Sequence, residues 1–269
     1  MSLRIQTNIA AFDAERNLTA TSNRMQHSMA RLSSGYRINT AADDAAGLAI
    51  SEKLRAQIGG LAQASRNVAD GVSLVQTAEG QLNEVHSMLQ RVRELAVQYK
   101  NGTLSTEDRT AIQSEVNQLG SEIQRIGTAA AFNGISLLAT SGTITFQVGA
   151  NDGDAIAVST ISLGSAVSSG VFSLSSTGTT DISEIDDAIN QVSAQRADFG
   201  AVQNRLEHTM NNLSTYHENL VASESRVRDA DMAEEMVGFT KTQILQQAGT
   251  SMLAQANQIP QSVLTLLRG

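Results

Sequence analysis

From Leu54 onward, apolar residues recur at three- and four-residue spacing: Ile58, Leu61, Val68, Val72, Val75, Ala78, Leu82, Val85, Leu89, Val92, Ala96 and Tyr99, with Ser65 as a polar interruption. That period predicts one long amphipathic helix. At about 1.5 Å per residue it would span roughly 69 Å, whereas a compact globule of this chain length would have a radius of gyration near ~18 Å. The pattern therefore predicts a rod. The turn sequence Asn101-Gly102 and a cap at Ser105, with Asp108 three residues on, start a third helix whose apolar face carries Ile112, Val116, Leu119, Ile123 and Ile126.

The period then changes. Ile144, Phe146 and Val148 alternate, "ANDGD" supplies a turn, and Ile156 and Val158 alternate again, which predicts a β-hairpin. Between Ser159 and Thr180, 12 of 22 residues are Ser or Thr, a composition expected to form little core and to suit an exposed outer end. Asp181 as cap, with Glu184 three positions later, restarts a helix. Ile182, Ile185, Ile189, Val192, Phe199, Val202, Leu206, Leu213, Tyr216, Leu220 and Val227 carry its apolar stripe back along the rod.

The two ends show a different repeat. Ala11, Leu18, Met25 and Leu32 recur every seven residues, and Leu245, Ala248, Met252, Ile259, Val263 and Leu266 do much the same near the C-terminus. The expected fold is mainly α: a long antiparallel helical bundle rod with paired terminal coiled-coil helices and a small β-hairpin region. Residues 1–43 form the N-terminal coiled-coil segment, 44–228 the rod with its hairpin region at about 136–180, and 229–269 the C-terminal coiled-coil segment. Ile5, Ile9, Leu18, Met25, Leu32, Leu245, Met252, Ile259, Val263 and Leu266 are the residues expected to mediate polymerisation, because apolar stripes at the ends of a hairpin-like chain need a partner.

Composition narrows the chemistry. Aromatic residues make up 3% of the chain, with no Trp and a single Pro at 260, which leaves the helical segments almost free of the strongest helix breaker. The formal net charge of −8 disfavours nucleic acid and anionic lipid as partners. The chain has no Cys, so thiolate chemistry, disulfides and zinc–thiolate sites are excluded. Asp13 and Glu15 interrupt the N-terminal region where a secretory signal would need an apolar run, and the low-charge stretch 237–267 is too rich in Gln, Asn and Ser to be a membrane span.

The acid pair in "SSGYRINTAADDAAGLAISEKL" is the most conspicuous candidate for catalysis. Gly35 suits the left-handed end of one helix, and Thr40 suits the cap of the next, with Asp43 as its third residue and Asp44 also in the first turn. Helix punctuation accounts for both carboxylates. His27, His86, His208 and His217 form no H-E-x-x-H pattern, and neither a nucleophile elbow nor a phosphate loop is present. Asn-x-Ser/Thr triplets begin at Asn17, Asn101 and Asn212, two of them inside predicted helices, and are read as chance. No cofactor and no enzymatic activity are expected; the residues favour a self-assembling structural protein.

The segments "RLSSGYRINTAADDAAGLAISEKLRAQ", "ADGVSLVQTAEG", "LQRVRELAVQ", "ASESRVRDADMAEEMV" and "TKTQILQQAGTSMLAQANQIPQSVLTLL" closely resemble the bacterial flagellins, over residues 1–140 and 181–269. The resemblance implies a structural subunit of the flagellar filament that serves swimming motility, with terminal helices in an inner tube and a rod in an outer one. The short middle implies a form without projecting outer domains. Gln6 and "MVGFTKTQ" depart from the usual pattern without affecting the assignment, and the lack of H-E-x-x-H speaks against a metallopeptidase insert. The alternative, a hook–filament junction protein, shares the N-terminal motif but should lack "QILQQAGTSMLAQANQIPQSVLTLL".

The resemblance further implies export through a dedicated secretion channel to an extracellular flagellum. The implied partners are copies of the chain itself, an export chaperone that binds the C-terminal helix, a filament cap, hook-associated proteins and, for some members, the host Toll-like receptor for flagellin. On the motif "LQRVRELAVQ" and on "IQSEV" it carries receptor recognition to Arg91, Leu95 and Glu115.

Overall fold

The computed structural model describes residues 8–167, 169–175 and 181–268, with the side chains at 169–170 and from 259 onward outside the description. Its elements in chain order are α1 (Ile9–Ser34), α2 (Ala45–Tyr99), α3 (Thr106–Ala129), β1 (Ala131–Phe132), β2 (Ile135–Ser136), β3 (Gly142–Gln147), β4 (Ala155–Thr160), α4 (Leu163–Ala166), a 3-10 turn (Ser169–Phe172), α5 (Asp181–Arg228) and α6 (Met232–Arg268). The protein is mainly helical, with two small antiparallel two-stranded sheets. Two compact units emerge: Met1–Ala56 together with Asn219–Gly269, and Gln57–Glu218.

In the second unit, the seam of α2 predicted from its three-four spacing is the core. Val68, Val75, Ala78, Leu82, Val85, Leu89, Val92 and Ala96 are all completely buried. Val116 and Ile123 of α3 and Ile185, Val192, Phe199 and Leu206 of α5 are buried with them. Ion pairs fasten the helices at the margins: Arg93 to Asp186 at 2.6 Å and Arg196 to Glu79 at 2.8 Å join α2 to α5. α3 begins with the predicted reciprocal cap, in which the Ser105 hydroxyl accepts from the Asp108 amide at 3.1 Å and the Asp108 carboxylate accepts from the Ser105 amide.

The hairpin β3–β4 pairs Ile144 with Val158 and Phe146 with Ile156, in the register that puts the alternating apolar side chains on one face. The second sheet, β1–β2, is closed by Asn133-Gly134, both at positive φ (48° and 80°), the signature of a tight two-residue turn.

The Ser/Thr-rich stretch differs from its sequence reading. Leu163, Ala166, Val167, Val171, Phe172 and Leu174 are buried, because the hydroxyl residues are interleaved with a small apolar set. That set lies on α3, where Gly120 leaves room for the Phe172 ring; a Cβ at Gly120 would stand 2.8 Å from the Phe172 Cγ. The Gln113 side-chain amide secures the cover, donating to the Phe172 carbonyl at 2.6 Å and accepting from the Leu174 amide at 3.1 Å.

Two helix starts also depart from expectation. α2 begins at Ala45, and its N-terminal side-chain cap is Asp44, whose carboxylate accepts from the Gly47 amide at 2.9 Å. Thr40 and Asp43 instead close a separate turn ahead of it, so two capping sites share one short stretch and only the second opens the helix. Asp181 is the first residue of α5, 7% exposed, and its carboxylate reaches back to the Ser175 amide at 2.8 Å and to Lys100 at 3.7 Å.

Candidate functional site

In the first unit, α1 and α6 lie side by side. Asn8 caps α1 by accepting from the Ala11 amide at 3.1 Å, while its side-chain NH₂ donates to the Ala256 carbonyl of α6 at 2.8 Å. Small residues permit the close approach: Ala10, Ala14, Ala248 and Gly249 line the groove between the helices, and a Cβ at Gly249 would come within 3.2 Å of Leu18. Leu18, Met25 and Leu32 are half-buried, as a seven-residue stripe facing one neighbour helix should be.

One neighbour does not bury these helices. α1 contains no buried residue. Ile9 is 54% exposed and Phe12 63%, and on α6 Val237 is 71%, Ile244 60% and Met252 64% exposed. Leu245 is exposed as well. Met236, Val237, Ile244 and Leu245, with Thr240 and Lys241 between them, line one shallow, mostly apolar cleft on the surface of α6. Full burial of such a side chain is worth about 1.5–3 kcal/mol, and covering the exposed half or more of each is worth roughly 1–2 kcal/mol, so the surface is a strong candidate for contact with other chains. Of the residues expected to mediate polymerisation, Ile9, Leu245 and Met252 are exposed here and Leu18, Met25 and Leu32 line the helix pair. Ile5 and the side chains of Ile259, Val263 and Leu266 lie outside the described residues.

A polar joint, not anticipated from sequence, closes the other end of this unit. The α1–α2 turn and the α5–α6 turn form an antiparallel bridge at Tyr36 and Asp229. The Arg37 amide donates to the Arg228 carbonyl at 2.7 Å, and the Ala230 amide donates to the Gly35 carbonyl at 2.9 Å. Gly35 adopts φ 75°, the left-handed conformation that ends α1. The Arg228 guanidinium lies over the Tyr36 ring and pairs with Glu52 at 3.1 Å. Asp43 accepts from the Thr40 amide at 2.9 Å, the Thr40 hydroxyl at 3.0 Å and the Asn39 amide at 3.2 Å. These bonds, led by the Thr40 amide, hold its carboxyl below the ordinary value, and Arg31 at 3.9 Å adds to the effect. The joint is a structural clamp: Asp43 serves the backbone of its own turn and Glu52 pairs with Arg228.

In the second unit, Arg91 is half-exposed and donates through Nε (3.1 Å) and Nη2 (3.0 Å) to one Glu115 oxygen and through Nη1 to Glu94 at 3.2 Å. Those bonds, Glu115 first, raise its pKa, so it is a permanent cation in an otherwise acidic surface cluster. Leu95 is 2% exposed and belongs to the core beneath that cluster. A cavity of about 510 Å³ beside the hairpin turn is lined by Leu61, Val148, Ile156 and Leu213 together with Asp154, Arg205 and His208. Asp154 is occupied in closing the turn, accepting from the Asn151 amide and side chain. Among the described residues no group of three metal-ligating side chains converges, and no helix is long and apolar enough to cross a membrane.

Two family models match the chain: the bacterial flagellin N-terminal helical region over residues 5–143 and the bacterial flagellin C-terminal helical region over residues 182–267. The chain is 53% identical to a flagellin of Halalkalibacterium halodurans, covering 98% of this chain and 99% of that one. It is 47% identical to a flagellin of Bacillus subtilis (99% and 100%) and 46% identical to the flagellar filament 33 kDa core protein of Treponema phagedenis (98% and 99%). Among solved structures, the crystal structure of Bacillus cereus flagellin matches with a TM-score of 0.52 at 32% identity, over 59% of this chain and 94% of that one. With both terminal helical regions matched and relatives aligned end to end, the chain belongs to the bacterial flagellin family.

Proposed function

We propose that this flagellin polymerises with copies of itself through the apolar faces of α1 and α6, as a structural subunit of the extracellular flagellar filament. The observation that carries this reading is the exposure of Phe12, Val237, Ile244 and Met252 on a helix pair in which, among the described residues, Ala256 is the one buried side chain. Segments 1–43 and 229–269 act as the assembly parts and 44–228 as the folded body. The role is a structural one, and the conspicuous carboxylates Asp43 and Asp44 serve it by accepting from the Thr40 and Gly47 amides. Nothing observed favours the hook–filament junction alternative.

An export chaperone fits the same apolar cleft on α6 before assembly, since a face of this kind must be shielded in the monomer. The filament cap and hook-associated proteins would meet it at the growing end and the base. For the host Toll-like receptor, Arg91 of α2 and Glu115 of α3 are the surface groups, and Leu95 acts from beneath by fixing α2, the helix that presents Arg91. The test is electron microscopy of purified chain mixed with short filament seeds. Elongation of the seeds by this chain is expected; seeds that keep their length at saturating protein would refute the reading.

A further inference from the structure

Seven of the eight methionines fall within the described residues, and five of those, Met25, Met29, Met232, Met236 and Met252, lie on α1 and α6. Four of the five are open to solvent: Met29 is 46%, Met232 47%, Met236 50% and Met252 64% exposed. The two methionines of the second unit, Met88 and Met210, are half-buried. Exposed thioethers are thus concentrated on the unit with the apolar faces. Met236 belongs to the cleft with Val237, Ile244 and Leu245, and Met252 to the groove with Leu18 and Gly249.

From this placement we infer that the exposed methionines of α1 and α6 are an oxidation site through which hydroperoxides block assembly of the free subunit. The inference rests on the assembly role proposed above. The thioether sulfur attacks the terminal oxygen of the hydroperoxide, an S–O bond forms as the O–O bond breaks, and the proton of the attacked oxygen passes to the other oxygen, which leaves as water or alcohol. Sulfur is oxidised by two electrons and the peroxide reduced by two, with no other reactant. The product is a polar, chiral sulfoxide in place of a flexible apolar side chain. Carried into an interface, its oxygen must find a donor or be buried without one, which opposes association. Once these sulfurs are covered by neighbouring subunits they no longer meet the oxidant, so the free subunit is the vulnerable form. The lesion is reversible by methionine sulfoxide reductases.

The test treats purified monomer with hydrogen peroxide, maps each methionine by peptide mass spectrometry and follows elongation of filament seeds. Met29, Met232, Met236 and Met252 should oxidise several-fold faster than Met88 and Met210, and the oxidised monomer should elongate seeds at least about tenfold more slowly. Reductase treatment should restore the rate. In a variant with Leu at positions 29, 232, 236 and 252, the ratio of treated to untreated rate should stay within twofold, whatever its untreated rate. Uniform oxidation across all seven sites, unimpaired elongation by oxidised monomer, or equal peroxide sensitivity in the Leu variant would each overturn the inference. Failure of untreated protein to elongate seeds would instead refute the assembly role, with the site map still deciding whether these methionines are preferentially oxidised.

Discussion

The Arg228 guanidinium lies 4.7 Å from the centroid of the Tyr36 ring, joining the end of α5 to the turn after α1. The arginine is only 13% exposed at its side chain while Tyr36 is 40% exposed, so the contact is shielded on the arginine side and open on the ring's outer side. Replacing Tyr36 with Ala should lower stability by about 1–2 kcal/mol, whereas Tyr36→Phe, which keeps the ring face, should change it by less than about 0.5 kcal/mol. Denaturant unfolding checks this; equal losses in the two variants would show that the ring face contributes nothing.

Asp43 gives the joint a pH dependence of defined sign. Its folded pKa is lowered from 3.8, chiefly by the Thr40 amide and then the Thr40 hydroxyl. The carboxylate's contribution is therefore fully present above the unfolded value and is lost as pH falls through the lower folded value. Asp43→Ala should cost about 1 kcal/mol at neutral pH. The gap between variant and parent should narrow only below 3.8. Unfolding curves across the acid range measure it, and a gap that persists unchanged into strong acid would contradict the assignment.

Gly120 faces the Phe172 ring with no room for a methyl group. Gly120→Ala should destabilise by about 1–3 kcal/mol through overpacking. Adding Phe172→Leu should return part of that loss, because the two sites touch and their effects are not additive. A double-mutant cycle with no coupling would contradict the packing.

Much of this architecture was legible because it is local. The three-four spacing of α2, the Ser105–Asp108 cap, the β3–β4 alternation and the left-handed end at Gly35 each depend on residues a few positions apart. The β1–β2 hairpin was equally local, since Asn133-Gly134 sits between Phe132 and Ile135, but its strands are two residues long and carry no periodicity. The start of α2 was misplaced because Thr40 and Asp44 are both competent caps, and their order of use depends on the turn that Asp43 closes. Burial of Phe172 and Leu174 was hidden by the surrounding serines and threonines; it depends on Gly120 and Gln113, far away in sequence. The Arg228–Tyr36 contact is likewise long-range, and no pattern along the chain encodes it.

Arg91 tests the proposed receptor surface. Its guanidinium is half-exposed and already bonded to Glu115 and Glu94, so it is pre-oriented without being buried. Arg91→Ala should weaken monomer binding to the Toll-like receptor ectodomain by several-fold to about a hundredfold, while the unfolding midpoint shifts by less than about 2 °C, as expected for an exposed ion pair. Unchanged binding together with a much lower midpoint would make Arg91 a packing residue.

Val237 and Ile244 are the most exposed large apolar residues of the α6 cleft, and the central claim is that this cleft is covered by another subunit. The most direct measurement is sedimentation of assembled polymer, with electron microscopy of the pellet, for the parent chain and for Val237→Asp/Ile244→Asp. Because both side chains are in solvent in the monomer, the variant should keep the parent's helical circular dichroism and unfolding midpoint. It should also remain in the supernatant under conditions where the parent pellets as filaments, since each buried carboxylate costs several kcal/mol at the interface. A variant that folds normally and pellets as filaments at the parent's critical concentration would contradict the account.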